Sequence, residues 1–176
     1  IRYHAREYGV NPQKIGIMGF SAGGHLASTA ATHIDAGDRK AVDPVERISS
    51  RPDFMILVYP VITLKDPHAH ARSRDTLLGP RAGNPRLIQS LSNELQVTKQ
   101  TPPTFLAHAK NDKKVPVENS RLFHQACRQQ QVPARLKIYE KGGHGFALGR
   151  EGTDSINWTN DCEQWLQESG LMKALQ

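Results

Sequence analysis

The chain lacks any long apolar run and contains only two cysteines among its 176 residues. A membrane-spanning helix needs about 20 consecutive, mostly apolar residues, so we expect no membrane span. Cys127 and Cys162 lie in separate predicted helices, without the spacing of metal ligands. Two cysteines cannot build a framework of several disulfides, so two free thiols are the default interpretation and a single disulfide is the alternative.

Basic residues are in excess, but they form no block or stripe of the kind that binds nucleic acid. The net charge is +6, and aromatic residues make up only 6% of the chain. The densest basic group consists of Lys65, Arg72, Arg74, Arg81 and Arg86. No aromatic side chain lies between its members to stack on bases. A solvated surface is the preferred interpretation, and we expect no nucleic-acid partner.

What the chain does contain is a serine between glycines at the end of an apolar segment. Residues 14–25 read Lys-Ile-Gly-Ile-Met-Gly-Phe-Ser-Ala-Gly-Gly-His, which places Ser21 between Gly19 and Gly23. The apolar segment predicts a strand, and the residues after Ser21 predict a helix. A sharp strand-to-helix turn exposes the serine oxygen at the carboxyl end of a sheet, over a helix N-terminus. Ser21 is therefore the candidate nucleophile.

A nucleophilic serine needs a base and an acid, and suitable residues follow later in the chain. Asp112 comes soon after the apolar strand predicted at 104–109, and His144 lies in a glycine-rich loop after the strand predicted at 134–139. Serine, acid and histidine then occur in the order found in α/β hydrolases. His144 would take the proton from Ser21, and Asp112 would hold the histidine in the useful tautomer.

Other polar residues near these positions are weaker candidates. Asn111 cannot carry negative charge, and Glu118 belongs to the following helix. His25 lies one helical turn beyond the serine and His108 lies near a strand end, so both are interpreted as structural. The His-x-His pair at 68–70 has no third and fourth ligand at suitable spacing. We therefore predict neither a metal nor a cofactor.

The alternation of apolar strands and helices predicts an α/β fold with a parallel sheet and flanking helices. Strands are predicted at 14–19, 54–59, 104–109 and 134–139, and helices at about 22–33, 117–130 and 155–168. Residues 1–9 read as the last turns of a helix that Gly9 ends. The connection 60–101 is predicted to hold two short helices, one starting near Ser73 and one opened by residues 84–85.

Together these segments resemble the esterase/lipase branch of the α/β-hydrolase superfamily, particularly bacterial acetyl esterases and acetyl-xylan-esterase-like proteins. The matching segments are residues 19–27, 102–108, 112–120 and 139–146, with weaker matches at 73–79 and 91–94. The resemblance implies Ser21 as nucleophile, Asp112 as acid and His144 as base. It also implies a serine carboxylic-ester hydrolase that acts through an acyl-enzyme on small acyl esters, with acetylated sugars or xylo-oligosaccharides as implied substrates.

The resemblance covers nearly the whole chain but only the second half of the family's domain. We therefore expect one N-terminally truncated domain over 1–176, with a cap-like insertion at about 60–101. The backbone N–H of Ala22 is the implied first oxyanion donor, whereas the second normally lies on an upstream His-Gly-Gly-Gly-type loop. An unpaired nucleophile strand favours self-association through its edge, and the chain alone should be a weak esterase. A prolyl-oligopeptidase-like peptidase and a non-catalytic hydrolase fragment, serving in binding or assembly, are the alternatives.

Overall fold

A computed structural model describes residues 1–172 and contains a four-stranded parallel sheet with helices on both faces. The strands are β1 (Gly16–Phe20), β2 (Phe54–Val58), β3 (Thr104–Ala109) and β4 (Ala134–Tyr139). They pair side by side in chain order. Because parallel strands share one carboxyl edge, the residues that follow β1, β3 and β4 meet at that edge. The predicted α/β class and its four strands are confirmed.

Within residues 1–172, five α-helices and four short 3₁₀ turns connect and cover the strands. The helices are α1 (Ala22–Thr32), α2 (Ala71–Leu78), α3 (Pro85–Ser90), α4 (Glu118–Gln129) and α5 (Trp158–Glu168), and the 3₁₀ turns are Pro44–Arg47, Gly79–Arg81, Asn93–Gln96 and Asp154–Asn157. The side chain of Asn84 caps α3, accepting hydrogen bonds from the N–H groups of Arg86 and Leu87, as the sequence predicts. The last helix begins later than predicted because its first residues form a 3₁₀ turn.

The first nine residues do not form the predicted end of an α-helix. Residues 3–9 form turns, in which Tyr8 N–H donates to the carbonyl of His4 at 3.0 Å. Gly9 does end the segment, with a φ of 64° that favours glycine. So short a segment gains little from helical hydrogen bonds, which explains why these residues form turns rather than the end of a helix.

The two faces of the sheet bury separate cores, because successive side chains of a strand point to opposite faces. On one face, Ile56 and Phe105 pack with Trp165 of α5, whereas on the other Leu57 and Leu106 belong to the core completed by α1 and α4. The cysteines follow this division: Cys162 lies in the first core and Cys127 in the second, and both are free and buried. Burial raises the pKa of each thiol to about 12. The prediction of two free thiols is confirmed.

One side of β1 stays open in the part of the chain that the structure describes. The strand pairs with β2 on its other side only, and the side chain of Met18 is 49% exposed. No helix within residues 1–172 combines the length and the hydrophobicity that crossing a bilayer requires. The sheet thus brings the loops after β1, β3 and β4 together at the carboxyl ends of its strands. It leaves β1 exposed on the side away from β2.

Candidate active site

Ser21 occupies a strained turn between β1 and α1. Its φ of 51° and ψ of −120° are unusual for any residue other than glycine. The end of β2 holds the turn in place: Ser21 N–H donates to the carbonyl of Val58, and Val61 N–H donates to the carbonyl of Ser21, both at 3.0 Å. These bonds fix Ser21 at the carboxyl edge of the sheet, as the sequence predicts.

The glycines around this turn do not all serve the same purpose. A Cβ on Gly19 would lie 2.1 Å from the carbonyl oxygen of Gly23, and a Cβ on Gly24 would lie 2.6 Å from the Cβ of Pro60. A Cβ on Gly23 would meet nothing within 4 Å. The turn is therefore crowded at Gly19 before Ser21, and after Ser21 it is crowded at Gly24 rather than at Gly23.

Ser21, His144 and Asp112 form a continuous chain of hydrogen bonds. Ser21 Oγ lies 2.9 Å from His144 Nε2, and His144 Nδ1 lies 2.7 Å from Asp112 Oδ2. The Asp112 side chain is fully buried, and that of His144 is 17% exposed. Hence His144 donates from Nδ1 to the carboxylate, which leaves Nε2 free to accept the serine proton. The three residues that the sequence singled out, 91 and 32 positions apart along the chain, are brought together.

Asp112 has more partners than the sequence indicated. Its Oδ1 accepts the backbone N–H groups of Lys114 at 2.9 Å and Val115 at 3.0 Å. Its Oδ2 lies 3.3 Å from Nε2 of His108, which is completely buried. Burial opposes ionisation of Asp112, but the hydrogen bonds from His108, Val115, His144 and Lys114 outweigh it and lower its pKa to about 2. Asp112 is therefore a fixed negative charge.

The orientation of His108 follows from its neighbours. Its Nε2 lies 3.0 Å from the carbonyl oxygen of Val115, so Nε2 carries the proton, and its Nδ1 accepts the hydroxyl proton of Ser120 at 2.8 Å. The sequence suggested a structural role for His108, and its contact with Asp112 also links it to the triad of Ser21, His144 and Asp112. Its position near the end of β3, four residues before Asp112, is the sequence feature that could have indicated this contact.

Two further residues hold the loop that carries His144. The side-chain oxygen of Asn111 accepts the N–H of Gly143 at 2.8 Å and so ties the acid loop to the histidine loop. Tyr59 packs edge-on against the His144 ring, with centroids 5.1 Å apart. The Tyr59 hydroxyl also accepts the N–H of Ala147 at 3.2 Å. The sequence excluded Asn111 as the acid because it carries no charge, and in the structure Asn111 serves as a neutral acceptor.

A cleft of about 940 Å³ opens beside the triad. The surface of the cleft is mostly apolar, although several of the residues that line it are polar: Ala22, His25, Leu26, Thr29, Val61, Leu64, His70, Arg72, Ser73, Thr76, Leu77, Leu91, Lys114 and His144. More than half of these residues belong to the connection 60–101, which is anchored by Asn119. The side-chain oxygen of Asn119 accepts the N–H groups of Ile62 and Thr63 at 2.8 and 3.0 Å.

The other candidates take different positions. His25 is buried, and its Nε2 donates to the carbonyl of Leu91 at 2.8 Å, which links α1 to the connection 60–101. Glu118 pairs with Arg121 on the surface of α4. Residues 1–172 contain no group of three or more His, Cys, Asp or Glu side chains placed to hold a metal ion.

Comparison with known families gives overlapping matches along the chain. Residues 1–127, which include Ser21, match the BD-FAE family model. Residues 85–175, which include Asp112 and His144, match the model of the dienelactone hydrolase family. Each match spans more than half of the chain.

Individual relatives agree with these families. The chain is 41% identical over 152 residues to endo-1,4-beta-xylanase B of Butyrivibrio fibrisolvens, covering 86% of the chain and 23% of that protein. It is 35% identical to acetylxylan esterase of Xylanibacter ruminicola, covering 97% and 32%. Among solved structures, the acetyl ester-xyloside bifunctional hydrolase of Caldicellulosiruptor lactoaceticus is 46% identical with a TM-score of 0.93, covering 97% of the chain and 62% of that structure. The chain thus spans about a quarter to a third of these two curated relatives, and it belongs to the BD-FAE family in the esterase branch of the α/β hydrolases.

Proposed function

We propose that the protein hydrolyses carboxylic esters through an acyl-enzyme on Ser21. The observation that carries the proposal is the chain of hydrogen bonds from Ser21 through His144 to buried Asp112. A serine hydroxyl is a poor nucleophile at neutral pH unless a base removes its proton, and His144 Nε2 is within reach to do so. The mechanism requires neither a metal nor a cofactor.

In the first half of the reaction, Ser21 Oγ would attack the acyl carbonyl carbon while His144 accepts the serine proton. Asp112 would stabilise the resulting imidazolium, as its buried charge suits it to do. His144 would then give the proton to the leaving alcohol as the carbon–oxygen bond breaks. In the second half, His144 would deprotonate a water that attacks the acyl-enzyme, and the released proton would return to Ser21.

The negative charge on the carbonyl oxygen needs donors of its own. Ala22 is the first residue of α1 and lines the cleft, and the N–H groups of a first helical turn have no partner within the helix. We assign the Ala22 N–H as one oxyanion donor. Removing one such donor typically lowers kcat by roughly 10²–10³-fold, so a protein with the Ala22 donor alone should be a weak esterase.

Acetylated xylo-oligosaccharides are the substrates we propose. The support is similarity to an acetylxylan esterase and to an acetyl ester-xyloside hydrolase, together with a cleft of a size that holds a sugar ester beside the triad.

The connection 60–101 would act as a cap, since it supplies most of the cleft lining. The exposed side of β1 would favour self-association wherever no further strand covers it. Sedimentation of the chain across a range of concentrations measures that association.

Labelling with a fluorophosphonate tests the nucleophile. Wild-type protein should be labelled at Ser21, and Ser21→Ala should abolish both labelling and hydrolysis of p-nitrophenyl acetate. Ser73 offers a matched control, because it also lines the cleft and its Oγ lies 2.8 Å from His70 Nδ1. Ser73→Ala should keep the label. Label on Ser73, or unchanged hydrolysis by Ser21→Ala, would contradict the proposal.

A further inference from the structure

Two positively charged side chains line the cleft without a partner in the described part of the chain. Arg72 and Lys114 both line the cleft, and within residues 1–172 neither forms an ion pair or a side-chain hydrogen bond. Nearby Arg74 differs, since it pairs with Asp66 at 3.1 Å and with Asp75 at 3.5 Å. Arg72 and Lys114 are 42 positions apart in the chain, so only the fold brings them to one cleft.

The surroundings of these two cations add positive potential and little negative charge. No Asp or Glu is among the cleft-lining residues of the described chain. Helix α2 begins directly after His70 with no acidic residue in its first turn, and His70 and Arg72 both line the cleft, so the positive end of the helix dipole lies at the cleft. Burial lowers the pKa of His70, and the positive charges of Arg72 and Lys114 lower it further, against the opposing influence of Asp112. His70 also lines the same cleft as His144 and the two cations.

Contacts around His144 indicate which part of a substrate these cations face. His144 gives its proton to the leaving alcohol in the proposed mechanism, so the alcohol must lie beside His144. Arg72 and Lys114 line the same cleft as His144, and the Lys114 N–H donates to Oδ1 of Asp112, whose Oδ2 lies 2.7 Å from His144 Nδ1. A carboxylate on the alcohol would meet two cations there, whereas the apolar lining near Leu26 and Leu77 suits neutral parts of the ligand.

We propose that Arg72 and Lys114 form a subsite for an anionic group on the alcohol part of the ester, such as the carboxylate of a uronic-acid-bearing xylo-oligosaccharide. This inference rests on the proposed esterase function and adds a substrate class to it. Because both cations are exposed to solvent, each contributes modestly, roughly two- to five-fold in kcat/KM, and both together about ten-fold. The contribution should fall as salt screens the charges.

A pair of matched esters measures this preference in the full-length protein. In 4-acetoxybenzoate the alcohol is anionic, and in 4-acetoxybenzamide it is neutral and of nearly the same size. The ratio of their kcat/KM values should fall about ten-fold in the double variant Arg72→Gln/Lys114→Gln, with the neutral ester changed less than about two-fold. Lys113→Gln is the control, because Lys113 is an exposed neighbour that does not line the cleft. It should leave the ratio unchanged.

Each other outcome overturns the proposal. An unchanged ratio in the double variant excludes the subsite, and an equal loss in Lys113→Gln assigns the effect to general surface charge. A loss seen only with an ester whose acyl part is anionic, such as the p-nitrophenyl monoester of succinic acid, excludes the assignment to the alcohol. Failure of esterase activity itself is separable, because it would appear as loss of neutral-ester hydrolysis and of Ser21 labelling.

Discussion

Replacing Asp112 by asparagine should remove a contribution to folding stability that the wild-type protein has at neutral pH and loses in acid. The Asp112 carboxylate is buried, and its two oxygens accept the hydrogen bonds described above from two histidine rings and two backbone N–H groups. These bonds stabilise the ionised form in the folded state, and the unfolded chain has none of them. An asparagine side chain would keep the shape of the aspartate but could not titrate.

The magnitude follows from the pKa. Folding lowers the pKa of Asp112 from 3.8 to about 2, which corresponds to about 2 kcal/mol in favour of the folded state when the group is ionised. Because folding lowers the pKa, this stabilisation is fully present at pH values above the pKa of Asp112 in the unfolded chain. It is lost as pH falls from about 4 to 2, where the folded carboxylate also becomes protonated.

Urea unfolding at a series of pH values measures this contribution. The difference in unfolding free energy between wild type and Asp112→Asn should shrink by about 2 kcal/mol between pH 5 and pH 2. Asp38→Asn is the control, because Asp38 is exposed, and an equally large pH-dependent change there would assign the effect to general surface charge. A difference for Asp112→Asn that stays constant with pH would refute the reasoning, since it would mean that the folded state does not favour the charged form.

Three further predictions concern the residues that support the site. His108→Asn keeps a partner for Ser120 but loses the donor toward Asp112. It should therefore lower the free energy of unfolding, measured in urea, by roughly 1.5–3 kcal/mol. His108→Gln should recover part of that loss, because its amide reaches farther. Asn111→Ala removes the acceptor for Gly143 N–H and should lower kcat for p-nitrophenyl acetate by roughly ten-fold with little change in KM. Asn111→Asp keeps an acceptor and should lose less activity. Equal kinetics for wild type and Asn111→Ala would contradict the positioning role. Gly19→Ala should abolish soluble expression, because its Cβ would lie 2.1 Å from the carbonyl oxygen of Gly23. Gly23→Ala should fold, since a Cβ there meets nothing within 4 Å. The opposite result would show that the crowding has been assigned to the wrong glycine.

The sequence by itself determined the α/β class, the strands β1 to β4 and the order of Ser21, Asp112 and His144. These features depend on local chemistry: apolar runs favour strands, and small residues and caps mark the turns between strand and helix. The sequence also indicated the family, because its motifs cluster at strand ends, where functional residues of α/β proteins meet. The prediction for residues 1–9 was wrong, because their pattern alone could not say whether a helix would gain enough hydrogen bonds to form.

Only the tertiary structure decided which residues support the triad. His108 and Asn111 look like ordinary polar residues in the chain, and their roles arise from contacts with Asp112 and Gly143. The same holds for Arg72 and Lys114, which the sequence places in unrelated segments and the fold places in one cleft. A contact between distant segments depends on how helices pack on the sheet, and the pattern of any single segment carries no information about its distant neighbours.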